Sequence, residues 1–169
     1  MNSDFRKIIV VLLLLLHIPN QSLASSLAED AKNRGINETC SNYLEQIESS
    51  YGLKGLNITF AHPEKPSEFP SLHISSQNYN NGSSSFSATL TPDGDLCYLS
   101  TIMVTAINNQ TCIEIAQVKV NNENLQASNY GEGKYIILTP KDNTYQTILT
   151  SSGENSCTIT ESRMMWPGR

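Results

Sequence analysis

The four cysteines, Cys40, Cys97, Cys112 and Cys157, carry the strongest chemical signal in this 169-residue chain. Their number is even, and no C-x-x-C pair or Cys/His cluster offers metal-ligand spacing, so two disulfides are expected rather than a metal site. Four cysteines allow three connectivities. A Cys97–Cys112 bridge is disfavoured, because the residues between them read largely as one extended strand that would hold the two Cα atoms too far apart. Buried free thiols are the competing reading.

Other reactive side chains are scattered. Past the N-terminal segment the only histidines are His62 and His73. If the strands around Phe60 and Leu72 pair, both imidazoles fall near one end of a hairpin, with Glu64 as a third metal ligand. No H-E-x-x-H spacing accompanies them, and surface histidines are the simpler reading. There is no G-x-S-x-G turn. A serine with His73 and Asp93 or Asp95 forms a triad only by free choice of partners. Nothing marks a pair of carboxylates for glycosidase chemistry. Asp93-Gly94-Asp95 matches part of a calcium loop but lacks its remaining oxygen ligands, and reads better as a hairpin turn. No catalytic, metal or cofactor-binding residue is assigned. The local lead toward binding is aromatic: Tyr130, Tyr135, Tyr145 and Trp166, the last beside Met164 and Met165, are residue types enriched at protein interfaces. Against this, the simpler reading is that the same residues close the core or an edge of the sheet.

The N-terminus bears on where such chemistry would operate. Arg6 and Lys7 precede the apolar run Ile8 to Leu16, Pro19 breaks it, and Ser22-Leu23-Ala24 places small residues at a cleavage site. This is the pattern of a secretory signal peptide over residues 1–24, leaving one exported globular domain over residues 25–169. The apolar run reaches about half of the ~20 residues needed to span a bilayer, so no stable membrane insertion is expected after cleavage. The full chain has 11 basic and 16 acidic residues. Loss of Asp4, Arg6 and Lys7 with the leader leaves nine and fifteen, a balance near −6. That balance argues against nucleic acid and anionic membranes as partners.

The elements that must position these residues follow from periodicity. Ser26-Leu27-Ala28-Glu29 fits a capping box before a short helix that Gly35 ends. Cys40, Tyr43, Leu44, Ile47 and Tyr51 recur at helical spacing, with Thr39 as N-cap and Gly52 as the stop. Leu56, Ile58 and Phe60 alternate with polar residues as in a half-buried strand. The proline-bearing stretch 61–70 reads as a loop. Leu72 and Ile74 begin a further strand, and Phe86, Ala88 and Leu90 mark the next. Pro92-Asp93-Gly94-Asp95 turns into Leu96 to Ile107, which is apolar at both parities and reads as a central strand buried on two faces. Residues 111–122 fit a helix opened by Thr111-Cys112-Ile113-Glu114, although their β-branched content also suits a strand. Leu125 to Gly133 reads as loop. Tyr135 to Leu138, Tyr145 to Leu149 and Cys157 to Met164 complete the set. No internal repeat is visible.

The expected fold class is therefore α+β: a mostly antiparallel sheet of about six or seven strands, with an N-terminal amphipathic helix and the helix near 111–122 packed on one face. The expected function is a secreted or periplasmic, non-enzymatic module that binds another protein, such as an inhibitor, an immunity-type protein or a secreted effector. The alternative is a small secreted hydrolase whose site is assembled from scattered polar residues.

Overall fold

The structure, a computed structural model, describes residues 25–131 and 134–166; the expected signal peptide lies outside the described residues. The element order is α1 (Leu27–Asn33), α2 (Glu38–Tyr51), β1 (Leu56–Phe60), β2 (Ser71–Tyr79), β3 (Gly82–Asp93), β4 (Leu96–Asn108), α3 (Cys112–Glu123), β5 (Gln126–Tyr130), β6 (Tyr135–Thr139), β7 (Tyr145–Gly153) and β8 (Ser156–Met165). All strands join one antiparallel sheet in the order β1-β2-β3-β4-β8-β7-β6-β5. The fold is α+β as expected, with eight strands rather than six or seven. The additional strand is β5, in the stretch read as loop. Its sequence, Gln-Ala-Ser-Asn-Tyr, has little apolar alternation because every residue of this edge strand is exposed.

The helices form where the sequence places them, with corrected ends. Asn37, not Thr39, caps α2: its Oδ1 accepts from the backbone N–H groups of Thr39 and Cys40. Gly52 ends α2 in the left-handed conformation, φ 61°, which costs a residue without Cβ nothing. Thr111 and Glu114 make the reciprocal capping box of α3, and the helix continues past Asn121-Asn122 to a left-handed Asn124.

The strand order is unchanged when its two halves are exchanged. Each half contains a helix followed by a four-stranded meander, with α1 an additional helix ahead of the first, and the last strands of the two meanders, β4 and β8, pair antiparallel at the centre. Each half also carries one disulfide from the first turn of its helix to the second residue of its last strand: Cys40–Cys97 and Cys112–Cys157. The alignment that lays Cys97 over Cys157 lays Ile102 over Ser162, and these two residues face each other across the central ladder. A pseudo-two-fold axis therefore passes between them. This corrects the expectation of no internal repeat. Little sequence survives to reveal it beyond Thr39-Cys40 against Thr111-Cys112 and a glycine shortly before Cys97 and Cys157.

All three helices lie on the same side of the sheet. In the N-terminal half, Leu27, Ala28, Ala31, Leu44 and Ile47 meet Phe86, Ala88, Leu90 and Leu99. In the C-terminal half, Ile115 and Ala116 meet Ile136, Leu138 and Leu149. Between the two clusters a polar seam ties the helices to β8. The Tyr51 hydroxyl reaches Glu161, Glu161 pairs with Arg163 at 3.0 Å, and the Arg163 guanidinium lies 4.6 Å from the centre of the Tyr145 ring. The Tyr145 hydroxyl donates to Glu123 at 3.1 Å, and Lys119 pairs with the same carboxylate. Burial raises the pKa of Tyr145, and the bond to the Glu123 carboxylate raises it further. Burial would raise Glu123 as well, but its bonds to Lys119 and Tyr145 hold it below the ordinary carboxylate value.

Among the described residues no helix is long and apolar enough to cross a membrane. The two disulfides point to a non-reducing, extracytoplasmic compartment.

Candidate functional site

With the helices on one side, the other side of the sheet has no cover from any described element. Its composition was not the one expected. Leu56, Ile58 and Phe60 alternate with polar residues, and a half-buried strand would turn such residues inward. Instead they are 65%, 43% and 56% exposed, while Thr59 between them is 4% exposed beneath the helices. The pattern repeats in β2, where Ser71, His73 and Ser75 are buried and Leu72 points outward. The β1–β2 hairpin is therefore reversed relative to the usual binary pattern.

Two features make the reversal possible. The helices supply the aliphatic residues of the core themselves, and three of the four buried polar side chains, Thr59, Ser71 and His73, bond to one another, while the buried Ser75 hydroxyl has no partner among the described residues. The His73 ring sits between Thr59 Oγ1, 3.2 Å from Nδ1, and Ser71 Oγ, 2.9 Å from Nε2. Burial lowers its pKa from near 6.5 to about 4, with Asp30 raising it and Arg34 lowering it by smaller amounts, so the ring is neutral at pH 7.

Continued across the sheet, the uncovered side is almost free of charge. Residues of one parity occupy it, and ladder registers align them in rows. One row runs Ile58, Ile74, Ser87, Ile102, Ser162, Gln146. Its neighbour includes Val104, Thr160, Ile148, Ile137 and Ser128. Apart from Asp93 at the β3–β4 turn, every charged residue of the strands points to the helical side or lies at a turn. The face is aliphatic in β1 and β2, hydroxyl-rich in β3 and β8, and mixed elsewhere. The central strand β4 contributes Ile102, which is 46% exposed, so this strand is not buried on both faces as its run of apolar residues suggested. That run is apolar at both parities because one parity fills the core and the other fills the uncovered face.

The sheet also has a notch. β7 begins at Tyr145, opposite Arg163, while β8 continues beside β4 alone through Met164 and Met165. The step leaves a depression of about 750 Å³ between the β6–β7 turn and Met164, Met165 and Trp166. Trp166 packs edge-on against Tyr98, with ring centres 6.3 Å apart.

The four aromatic residues singled out in the sequence do not form one patch. Tyr130 and Tyr135 pair at the end of the β5–β6 hairpin on the uncovered face. Tyr145 lies at the far end of β7, roughly 16 Å along the strands from Tyr135, and turns to the helical side. Only Tyr145 and Trp166 share a site, the notch. Charge gave little signal for the uncovered face, because the only acidic or basic residues within the strands are Asp93, Glu161 and Arg163; the face becomes visible only once the register is known.

The histidines are likewise apart in function. His62 Nδ1 accepts from the backbone N–H groups of Glu64 and Lys65, and its ring stacks on Phe69. His73 is enclosed beneath the helices, where both of its ring nitrogens are engaged by Thr59 and Ser71. Among the described residues no group of three or more His, Cys, Asp or Glu could hold a metal ion. The cysteines are all paired, which removes them as thiolate nucleophiles. Comparison with family models, curated proteins and solved structures returned no match.

Proposed function

We propose that the protein is an exported, disulfide-stapled, non-enzymatic module that binds another protein through the uncovered face of its sheet. The observation that carries this reading is the reversed β1–β2 hairpin, which turns Leu56, Ile58, Phe60 and Leu72 to solvent and Thr59, Ser71, His73 and Ser75 to the core. An exposed aliphatic strand at a sheet edge is a liability unless a partner covers it. The face is roughly 35 Å across and 20 Å along the strands, about 700 Å², close to the ~800 Å² that each partner gives to a standard interface. Its lack of charge suits a protein surface and gives nothing to a phosphate backbone.

Ile58→Asp tests the reading. Ile58 is exposed, so stability should change by no more than ~0.5 kcal/mol. A photocrosslinker at Ile102 should give one discrete adduct with an exported protein of the native host, and the Ile58→Asp variant should lose it. A crosslinker at Ser49, exposed on α2, should give none. Equal adducts from Ile102 and Ser49, or no effect of Ile58→Asp on the adduct, would overturn the proposal. The hydrolase alternative draws no support from His62 or His73, since each ring is already engaged within the fold.

A further inference from the structure

The pseudo-two-fold relation carries a second, independent inference, on the helical side of the C-terminal half. Laying Cys40 over Cys112 sets Ser41, Leu44, Glu45 and Glu48 of α2 against Ile113, Ala116, Gln117 and Val120 of α3. In the N-terminal half, α1 lies along this very strip. Leu44 and Ser41 are buried, the Glu48 carboxylate accepts the backbone N–H groups of Leu27 and Ala28, and Lys32 pairs with Glu45 at 3.0 Å. Leu27, Ala28 and Ala31 of α1 are buried between α2 and the β1–β2 edge.

In the C-terminal half the same four positions, together with Ala127 and Asn129 of β5 and Ile136 of β6, line an open groove of about 450 Å³. Among the described residues no helix occupies this place, because only residues 109–111 separate β4 from α3. The consequence is visible on the sheet. Thr59, facing α1 from edge strand β1, is buried, whereas Asn129, facing the groove from edge strand β5, is exposed. On α3, Ile113 is 63% exposed.

We propose that the groove between α3 and the β5–β6 edge binds a short amphipathic helix of another protein, seated as α1 is seated on the N-terminal half. The lining dictates its chemistry. Glu45 and Glu48 are replaced by Gln117 and Val120, so no carboxylate is present to receive a lysine or the first N–H groups of the incoming helix. The groove is lined without charge, and a charged side chain entering it would lose its hydration with no partner. The bound face is therefore uncharged, with Leu and Ala at the i, i+1 and i+4 spacing of Leu27, Ala28 and Ala31, and its affinity comes from apolar burial. A second copy of this chain is a poor occupant, since its own α1 is already buried.

The probe is a helix-stapled peptide of residues 25–35 with Lys32 replaced by Gln, titrated into the oxidised, exported protein and followed by amide NMR shifts. Saturable shifts confined to residues 113–120, 127–129 and Ile136 are expected. Ile113→Asp and Val120→Glu should each weaken binding about tenfold or more. Ile113→Asp should do so without lowering the melting temperature, because the side chain is exposed. Absence of saturable shifts overturns the proposal. So do shifts at Leu44, Glu48 and β1, which would mean that the peptide competes for the seat of α1. Concentration-dependent broadening of the groove residues in the protein alone would assign the groove to a second copy instead.

Discussion

The two halves of the sheet share a topology and differ in how they are covered. Two helices roof β1 to β4, and thirteen buried apolar residues and cysteines form the cluster beneath them. One helix roofs β5 to β8, over a cluster of eight. Glu48 and Lys32–Glu45 lock α1 in place in the first half, while the matching strip of α3 is open. The lesson is that one supersecondary plan tolerates very different degrees of closure when each copy is pinned by its own disulfide. The N-terminal half encloses even a histidine, and the C-terminal half leaves apolar surface open.

The comparison can be broken most forcefully at the disulfides. The two bridges close loops of similar length, with sequence separations of 57 and 45, so the chain-entropy argument gives each about 4 kcal/mol. The halves should nevertheless respond differently. Cys112→Ala with Cys157→Ala should release the smaller cluster locally, seen as lost hydrogen-exchange protection confined to α3 and β5 to β7. Cys40→Ala with Cys97→Ala should lower the midpoint of the main unfolding transition instead. Identical global destabilisation from both pairs would show that the halves are not separable in stability.

Acid gives the next largest effect, on the N-terminal half alone. The folded pKa of His73, about 4, lies below the unfolded value near 6.5. The unfolded chain therefore binds this proton first as pH falls. The contribution of neutral His73 is fully present above pH 6.5, is lost between 6.5 and 4, and levels off below 4, for a total of about 3 kcal/mol. Urea unfolding at a series of pH values should show this slope. His73→Gln should flatten it, and a slope that persists in His73→Gln would assign it to other groups. The smallest effect is expected at α3. Thr111→Ala removes half of the capping box and should cost about 1 kcal/mol, read as loss of protection in the first turn of α3 with β1 to β4 unchanged.

Much of the scaffold was legible because it is written in local signals. The Thr111-Cys112-Ile113-Glu114 box, the Gly52 stop, the Asp93-Gly94 turn and the helical spacing of Leu44 and Ile47 each specify their element within a few residues. Strand β5 was missed because an edge strand exposed along its whole length gives no periodic signal. The reversed hairpin was misassigned because periodicity identifies two faces of a strand without saying which one the helices will cover. The grouping of Tyr130, Tyr135, Tyr145 and Trp166 failed for a related reason: closeness in sequence became distance along antiparallel strands and opposition across the sheet.

By itself, then, the sequence determined the α+β class, the extent of the helices to within a turn, the expectation of two disulfides and the absence of a recognisable catalytic motif. These depend on residue type and short spacing. Tertiary structure alone decided which cysteines pair, the two-fold arrangement of the meanders, the enclosure of His73, the uncharged face and the α3 groove. Each of these depends on register between strands distant in the chain, and register is a property of the assembled sheet rather than of any one segment.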